Sequence, residues 1–117
     1  SFQPNPYLAL YSASKVFLKN LSRALSVELK PRKIKVTAVC PGWIDTDMLP
    51  REKDGKKIKY TGMISAEKVV EKAFRDNKKG KDMFTPGFFS KYFRFYSKVT
   101  PTRIVMKQWK AIIGKYL

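Results

Sequence analysis

A chain of 117 residues and 13.6 kDa has room for one domain and no more. The absence of histidine excludes a Ser-His-Asp triad, a histidine metal site and a histidine general base. The single cysteine, Cys40, excludes an intramolecular disulfide and a cysteine zinc cage. With 44% hydrophobic and 14% aromatic residues the chain can bury a core, while its formal charge of +16 favours polyanions as partners.

The charge is uneven: residues 1–50 carry 7 Lys/Arg against 3 Asp/Glu, and residues 51–117 carry 18 against 6. No run reaches the roughly eighteen apolar residues of a spanning helix. Lone cysteine use suits a reducing compartment, so a cytoplasmic location is expected. The opening Ser1-Phe2-Gln3-Pro4-Asn5-Pro6 has neither Met nor a signal-like apolar core. It reads as an irregular lead-in and as the start of a piece of a longer protein.

From Leu10 to Lys30 the pattern is helical. Leu18, Leu21, Leu25 and Leu29 recur at three- and four-residue steps, and Phe17, Ala24 and Val27 widen the apolar face. Pro31 stops the helix, because proline disfavours the helical conformation in the residue before it. Ile34 to Cys40 is a β-rich run closed by Pro41-Gly42 and reads as a mostly buried strand. A long helix, a short turn and a buried strand form the second half of a βαβ crossover.

Residues 43–64 read as a long loop, with Pro50, Asp54-Gly55 and Gly62 as breakers and five Lys/Arg between 51 and 59. That basic run is expected to be solvated. Ser65 should cap a helix whose apolar face is Ala66, Val69, Val70, Ala73 and Phe74, ended by Lys78-Lys79-Gly80. Asp82 to Thr85 suggests a short edge strand. Phe88, Phe89, Tyr92, Phe93, Phe95 and Tyr96 interleave with Lys91, Arg94 and Lys98 in a further helix. Thr100-Pro101 reads as an N-cap and first turn. The last helix should place Val105, Trp109, Ile112, Ile113 and Tyr116 on one side, with Arg103, Lys107, Lys110 and Lys115 around the rest.

Tyr11 and Lys15, four residues apart at the start of the first helix, share a helix face. A tyrosine hydroxyl is a weak base at neutral pH, and an ammonium held nearby favours its phenolate. Such a tyrosine can exchange a proton with an alcohol or carbonyl oxygen. The spacing alone is a weak signal, since Tyr-x-x-x-Lys pairs are common on helix surfaces.

The surroundings sharpen it. Tyr11-Ser12-Ala13-Ser14-Lys15 opens a long helix, which turns at Pro31-Arg32-Lys33 into a strand ending in Pro41-Gly42-Trp43-Ile44-Asp45-Thr46. This run resembles the C-terminal half of the short-chain dehydrogenase/reductase family, closely over residues 4–50 and more loosely over 63–87. Residues 88–117 match no motif. The fold implied is α/β, the incomplete C-terminal part of a doubly wound Rossmann-like parallel sheet. All of 1–117 is then a fragment of one domain: 1–42 catalytic helix and strand, 43–64 substrate and cofactor loop, 65–87 helix and short strand, 88–117 basic aromatic helices.

The resemblance implies that Tyr11 is the proton donor/acceptor and that Lys15 lowers its pKa and bonds the nicotinamide ribose. It implies that Pro41 and Gly42 pack beside the nicotinamide ring, that Ile44 contacts the carboxamide through its backbone, and that Thr46 offers a hydroxyl to the carboxamide and phosphates. The implied cofactor is NAD or NADP, and the implied reaction is hydride transfer to or from a small carbonyl or alcohol substrate. A homo-oligomer formed through residues 12–30 is also implied.

The six glycines, at 42, 55, 62, 80, 87 and 114, form no glycine-rich dinucleotide turn. Ser1 stands ten residues before Tyr11, closer than the family's catalytic serine. The fragment alone is therefore expected to be inactive. No metal site is expected: Asp45 and Asp47 read as solvated, and Cys40 as a small buried hydrophobe. The aromatic and basic stretch 88–117 could pack on the rest of the domain, self-associate, or touch a membrane surface. Nucleic acid is a weaker alternative, with no recognisable motif behind it. The competing class for the whole chain is a basic binding module for an anionic membrane surface or nucleic acid.

Overall fold

The computed structural model describes residues 4–47 and 49–114. Residues 1–3, Met48 and 115–117, with the expected Lys115 and Tyr116, lie outside the described residues. Helix α1 spans Ala9–Glu28, a stretch free of glycine and proline. Its start is organised from inside. The buried Ser12 hydroxyl donates to the Ala9 carbonyl at 2.9 Å and accepts the Asn5 N–H at 3.5 Å. Pro31 sits within a single 3₁₀ turn, Lys30–Arg32, and Lys33 at φ 60° completes the reversal.

The expected strand over 34–40 is shorter in the structure: β1 is Ala38–Val39, paired in parallel with Met83–Phe84, which is β6 in chain order. The reason lies in what surrounds residues 35–37. The Asn77 amide donates to the Lys35 carbonyl at 3.3 Å and to the Thr37 hydroxyl at 3.0 Å, and that hydroxyl donates to the Lys81 carbonyl at 2.6 Å. Side chains occupy this edge before the neighbouring strand begins. Ala38 N–H then bonds Asp82 O at 2.9 Å and Cys40 N–H bonds Phe84 O at 2.8 Å.

The expected loop 43–64 contains structure. Strand β2 (Ile44–Asp45) pairs in parallel with β5 (Ile64–Ser65), and β3 (Glu52–Lys53) pairs antiparallel with β4 (Lys56–Lys57). Asp54 and Gly55, at φ 52° and 73°, make the tight reversal that an Asp-Gly pair favours. Among the described residues the strands form three two-stranded sheets. The architecture is mixed α/β with short parallel pairs, a partial Rossmann-like fold.

Helix α2 runs Ala66–Lys78. Ser65 holds the N-cap position in extended conformation, but its side chain makes no capping bond. Glu67 in the first turn and Arg75 and Lys78 in the last suit the helix dipole. Of its expected apolar face Val69 is buried, whereas Val70 and Phe74 are exposed. Helices α3 (Phe88–Val99) and α4 (Thr102–Ile113) follow. The N-cap of α4 is Pro101 rather than Thr100, and no side chain caps it. Phe93 meets Trp109 at 6.4 Å between ring centroids, and the Tyr96 hydroxyl donates to Gln108 Oε1 at 2.7 Å, joining α3 to α4.

Among the described residues the buried apolar set is small: Ala38, Cys40, Val69, Phe84, Val105 and Ile113. On α1, Phe17 and Val27 are 65% and 72% exposed, so much of the predicted apolar face is uncovered.

Arg23 of α1 holds Asp82, just before β6, at 2.6 Å, and this hydrogen bond holds the Asp82 carboxyl below its ordinary range. A carboxylate lowered on folding stabilises the fold above its unfolded pKa and loses that contribution as pH falls through the folded value. Both side chains are about half exposed, so Asp82→Asn should cost less than about 1 kcal/mol at pH 7. The difference from wild type should vanish in acid, as read from urea midpoints. An equal cost at both pH values would assign the effect to packing instead of charge.

Candidate active site

The first turns of α1 carry Tyr11 and Lys15. The Lys15 ammonium lies 5.4 Å from the centroid of the Tyr11 ring, a cation over an aromatic face. The Ser14 hydroxyl donates to the Tyr11 carbonyl at 2.8 Å, bracing the same turn. Tyr11 is 58% exposed.

At the carboxyl end of β1, buried Cys40 is followed by the exposed Pro41-Gly42. Open parallel α/β sheets bind ligands beyond such strand ends. Gly42 is pressed against α3, and a Cβ there would collide with the Ser90 hydroxyl. Trp43 stacks at a tilt on Tyr60, with ring centroids 4.9 Å apart. Ile44 is half-buried in β2, and the Thr46 carbonyl accepts the Leu49 N–H at 3.2 Å.

Thr46 lines a cleft of about 280 Å³ together with Asp45, Leu49, Arg51, Tyr60 and Met63. Arg51 donates to Asp45 at 2.8 Å and the Tyr60 hydroxyl donates to Pro50 O at 2.8 Å. Sequence reasoning assigned Trp43 no role, read Asp45 as solvated, read Arg51 as part of a solvated run that could alternatively attract an anionic substrate or the cofactor's phosphate, and did not single out Tyr60. The signal that could have found them is Asp54-Gly55, whose hairpin folds this segment back on itself. The sequence-predicted residues thus fall into two groups. Tyr11 and Lys15 meet each other; Pro41, Gly42, Ile44 and Thr46 follow one another out of β1. Tyr11, Lys15, Pro41 and Gly42 are not walls of the cleft that holds Thr46.

The family model described as short chain dehydrogenase matches residues 1–57. Those residues are a short-chain dehydrogenase/reductase segment. The chain is 38% identical over 66 residues to the glycine betaine reductase ATRR of Emericella nidulans, covering 56% of this chain and 5% of that protein. It is 56% identical over 39 residues to the 3-oxoacyl-acyl-carrier-protein reductase FabG of Aggregatibacter actinomycetemcomitans, covering 33% of this chain and 16% of that protein. It is 41% identical over 46 residues to dehydrogenase/reductase SDR family member 4 of Homo sapiens, covering 39% and 16%. The dehydrogenase segment thus spans a minor part of each of these relatives. No solved structure matches the chain.

The packing of the dehydrogenase turn against α3 can be tested by a double-mutant cycle. Gly42→Ala should destabilise the protein by about 1 kcal/mol through crowding. Most of that should return in the Ser90→Ala background. A cost unchanged by Ser90→Ala would show that Gly42 does not press on α3.

Proposed function

We propose that this chain is the proton-handling part of an NAD(P)-dependent short-chain oxidoreductase acting on a small carbonyl or alcohol. The observation that carries the reading is the Tyr11–Lys15 pair, placed within the family-matched segment at the head of the helix that leads to β1 and Pro41-Gly42. The reductase names of the relatives support the same reaction class.

The residues present suit the nicotinamide end of a dinucleotide. Lys15 offers an ammonium to a ribose, Thr46 a half-buried hydroxyl, and the exposed turn at Pro41-Gly42 leads directly to Ile44. The six glycines supply no pyrophosphate turn, so that part of the cofactor needs residues this chain does not carry. The cofactor, when bound, supplies or accepts the hydride.

Tyr11 handles the proton. In reduction its hydroxyl gives a proton to the carbonyl oxygen as the carbonyl carbon gains the hydride; in oxidation it takes the alcohol proton as that hydride leaves. Lys15 sets a positive charge against the ring that becomes an anion when the proton departs. The 117 residues by themselves do not turn over in this reading. The setting is the reducing cytoplasm, where Cys40 remains a buried thiol. The exposed Phe17 and Val27 of α1 support a homo-oligomer built on that helix.

Tyr11→Phe in the full-length protein should lower kcat/KM for NAD(P)H-dependent reduction of a carbonyl panel by about 10²–10⁴-fold, the usual worth of a general acid. NAD(P)H binding, followed by fluorescence, should persist. Undiminished turnover in Tyr11→Phe would remove the residue from the chemistry.

A further inference from the structure

We infer that the outward face of α3 docks on an anionic phospholipid surface. Phe88, Tyr92, Phe95 and Val99 recur at four-, three- and four-residue steps and make one strip along the helix. They are 80%, 53%, 66% and 63% exposed. On the side turned to the protein Ser90 lies against Gly42, Phe89 lies against Gly62 and Phe93 meets Trp109 of α4. A helix that only faces water should carry polar groups along its most exposed strip.

Basic groups border the strip. Lys91, Arg94 and Lys98 fall on one flank of α3, and none of them has an ion-pair partner among the described residues. With Lys81 and Thr85 they line a cleft of about 410 Å³. Thr85 is 4% exposed, and its buried hydroxyl makes no hydrogen bond. Asp76 also lines the cleft, with its carboxylate taken by Lys81 at 3.0 Å. The three unpaired cations Lys91, Arg94 and Lys98, with a free hydroxyl, are the partners a phosphate oxygen takes.

Charge selects the occupant. Residues 51–117 carry 18 Lys/Arg against 6 Asp/Glu, so a second copy laid on this face would meet strong like charge. A bilayer surface containing anionic lipid meets both features at once, taking the rings below its headgroups and the cations at its phosphates. No described helix is long and apolar enough to cross a membrane, so the contact is a surface one.

Sedimentation of the full-length protein with phosphatidylserine/phosphatidylcholine vesicles, against pure phosphatidylcholine vesicles, tests this. Wild type should partition to the anionic vesicles and not to the neutral ones. Lys91→Gln/Lys98→Gln and Phe88→Ser/Phe95→Ser should each weaken that partition by about tenfold. Lys30→Gln/Lys33→Gln, on the turn after α1, should weaken it by less than about threefold. All six positions are exposed, and circular dichroism checks the folds. No binding to the anionic vesicles, equal binding to the neutral ones, or an equal loss in the Lys30/Lys33 control would overturn the proposal. So would a lipid-free dimer, seen by ultracentrifugation, that Phe88→Ser/Phe95→Ser dissolves.

Discussion

Two backbone hydrogen bonds across 44 residues of sequence, from Ala38 N–H to Asp82 and from Cys40 N–H to Phe84, fix the strand end from which the candidate site leaves. Each is worth only about 1 kcal/mol net. They matter because of what they bury together: Ala38, Cys40 and Phe84 form the tight centre of the parallel pair. α1 packs on this pair from one end of the sequence, and α3 leaves it at the other. The turn at Pro41-Gly42 lies one residue beyond the strand, so its place is fixed by the same register. The Arg23–Asp82 contact adds a tether from α1 to the start of the partner strand.

The elements that announce themselves by local chemistry were legible in the sequence. Pro31 and Lys33 end the first helix region, Gly80 follows the end of α2, and the Tyr11–Lys15 spacing places both side chains on one turn. Elements that depend on a distant neighbour were not. The β-rich run from Ile34 shrinks to Ala38–Val39 because Asn77 and Thr37 take the hydrogen-bonding groups that a strand would have used. Ser65 and Thr100 have cap chemistry, yet neither side chain caps a helix here. Asp54-Gly55 was a readable hairpin signal that the length of the loop obscured.

The site shows the same division. Spacing placed Tyr11 beside Lys15, because four residues along a helix is a matter of geometry alone. It could not show that Thr46 enters a cleft with Arg51 and Tyr60, since that cleft is made by the fold-back of residues 51–58. An apolar pattern gives the direction of a helix face and not what covers it. Phe17, Val27, Phe88 and Phe95 all fit helical faces, and all are open to solvent.

The central claim is that the Tyr11–Lys15 pair and the turn after β1 serve one bound nicotinamide. The most direct measurement is a titration of the full-length, nitrogen-15-labelled protein with NADH, followed by amide chemical shifts. The account predicts that Tyr11, Lys15, Gly42, Ile44 and Thr46 move together along a single binding curve. Saturation with Tyr11 and Lys15 unmoved would contradict it.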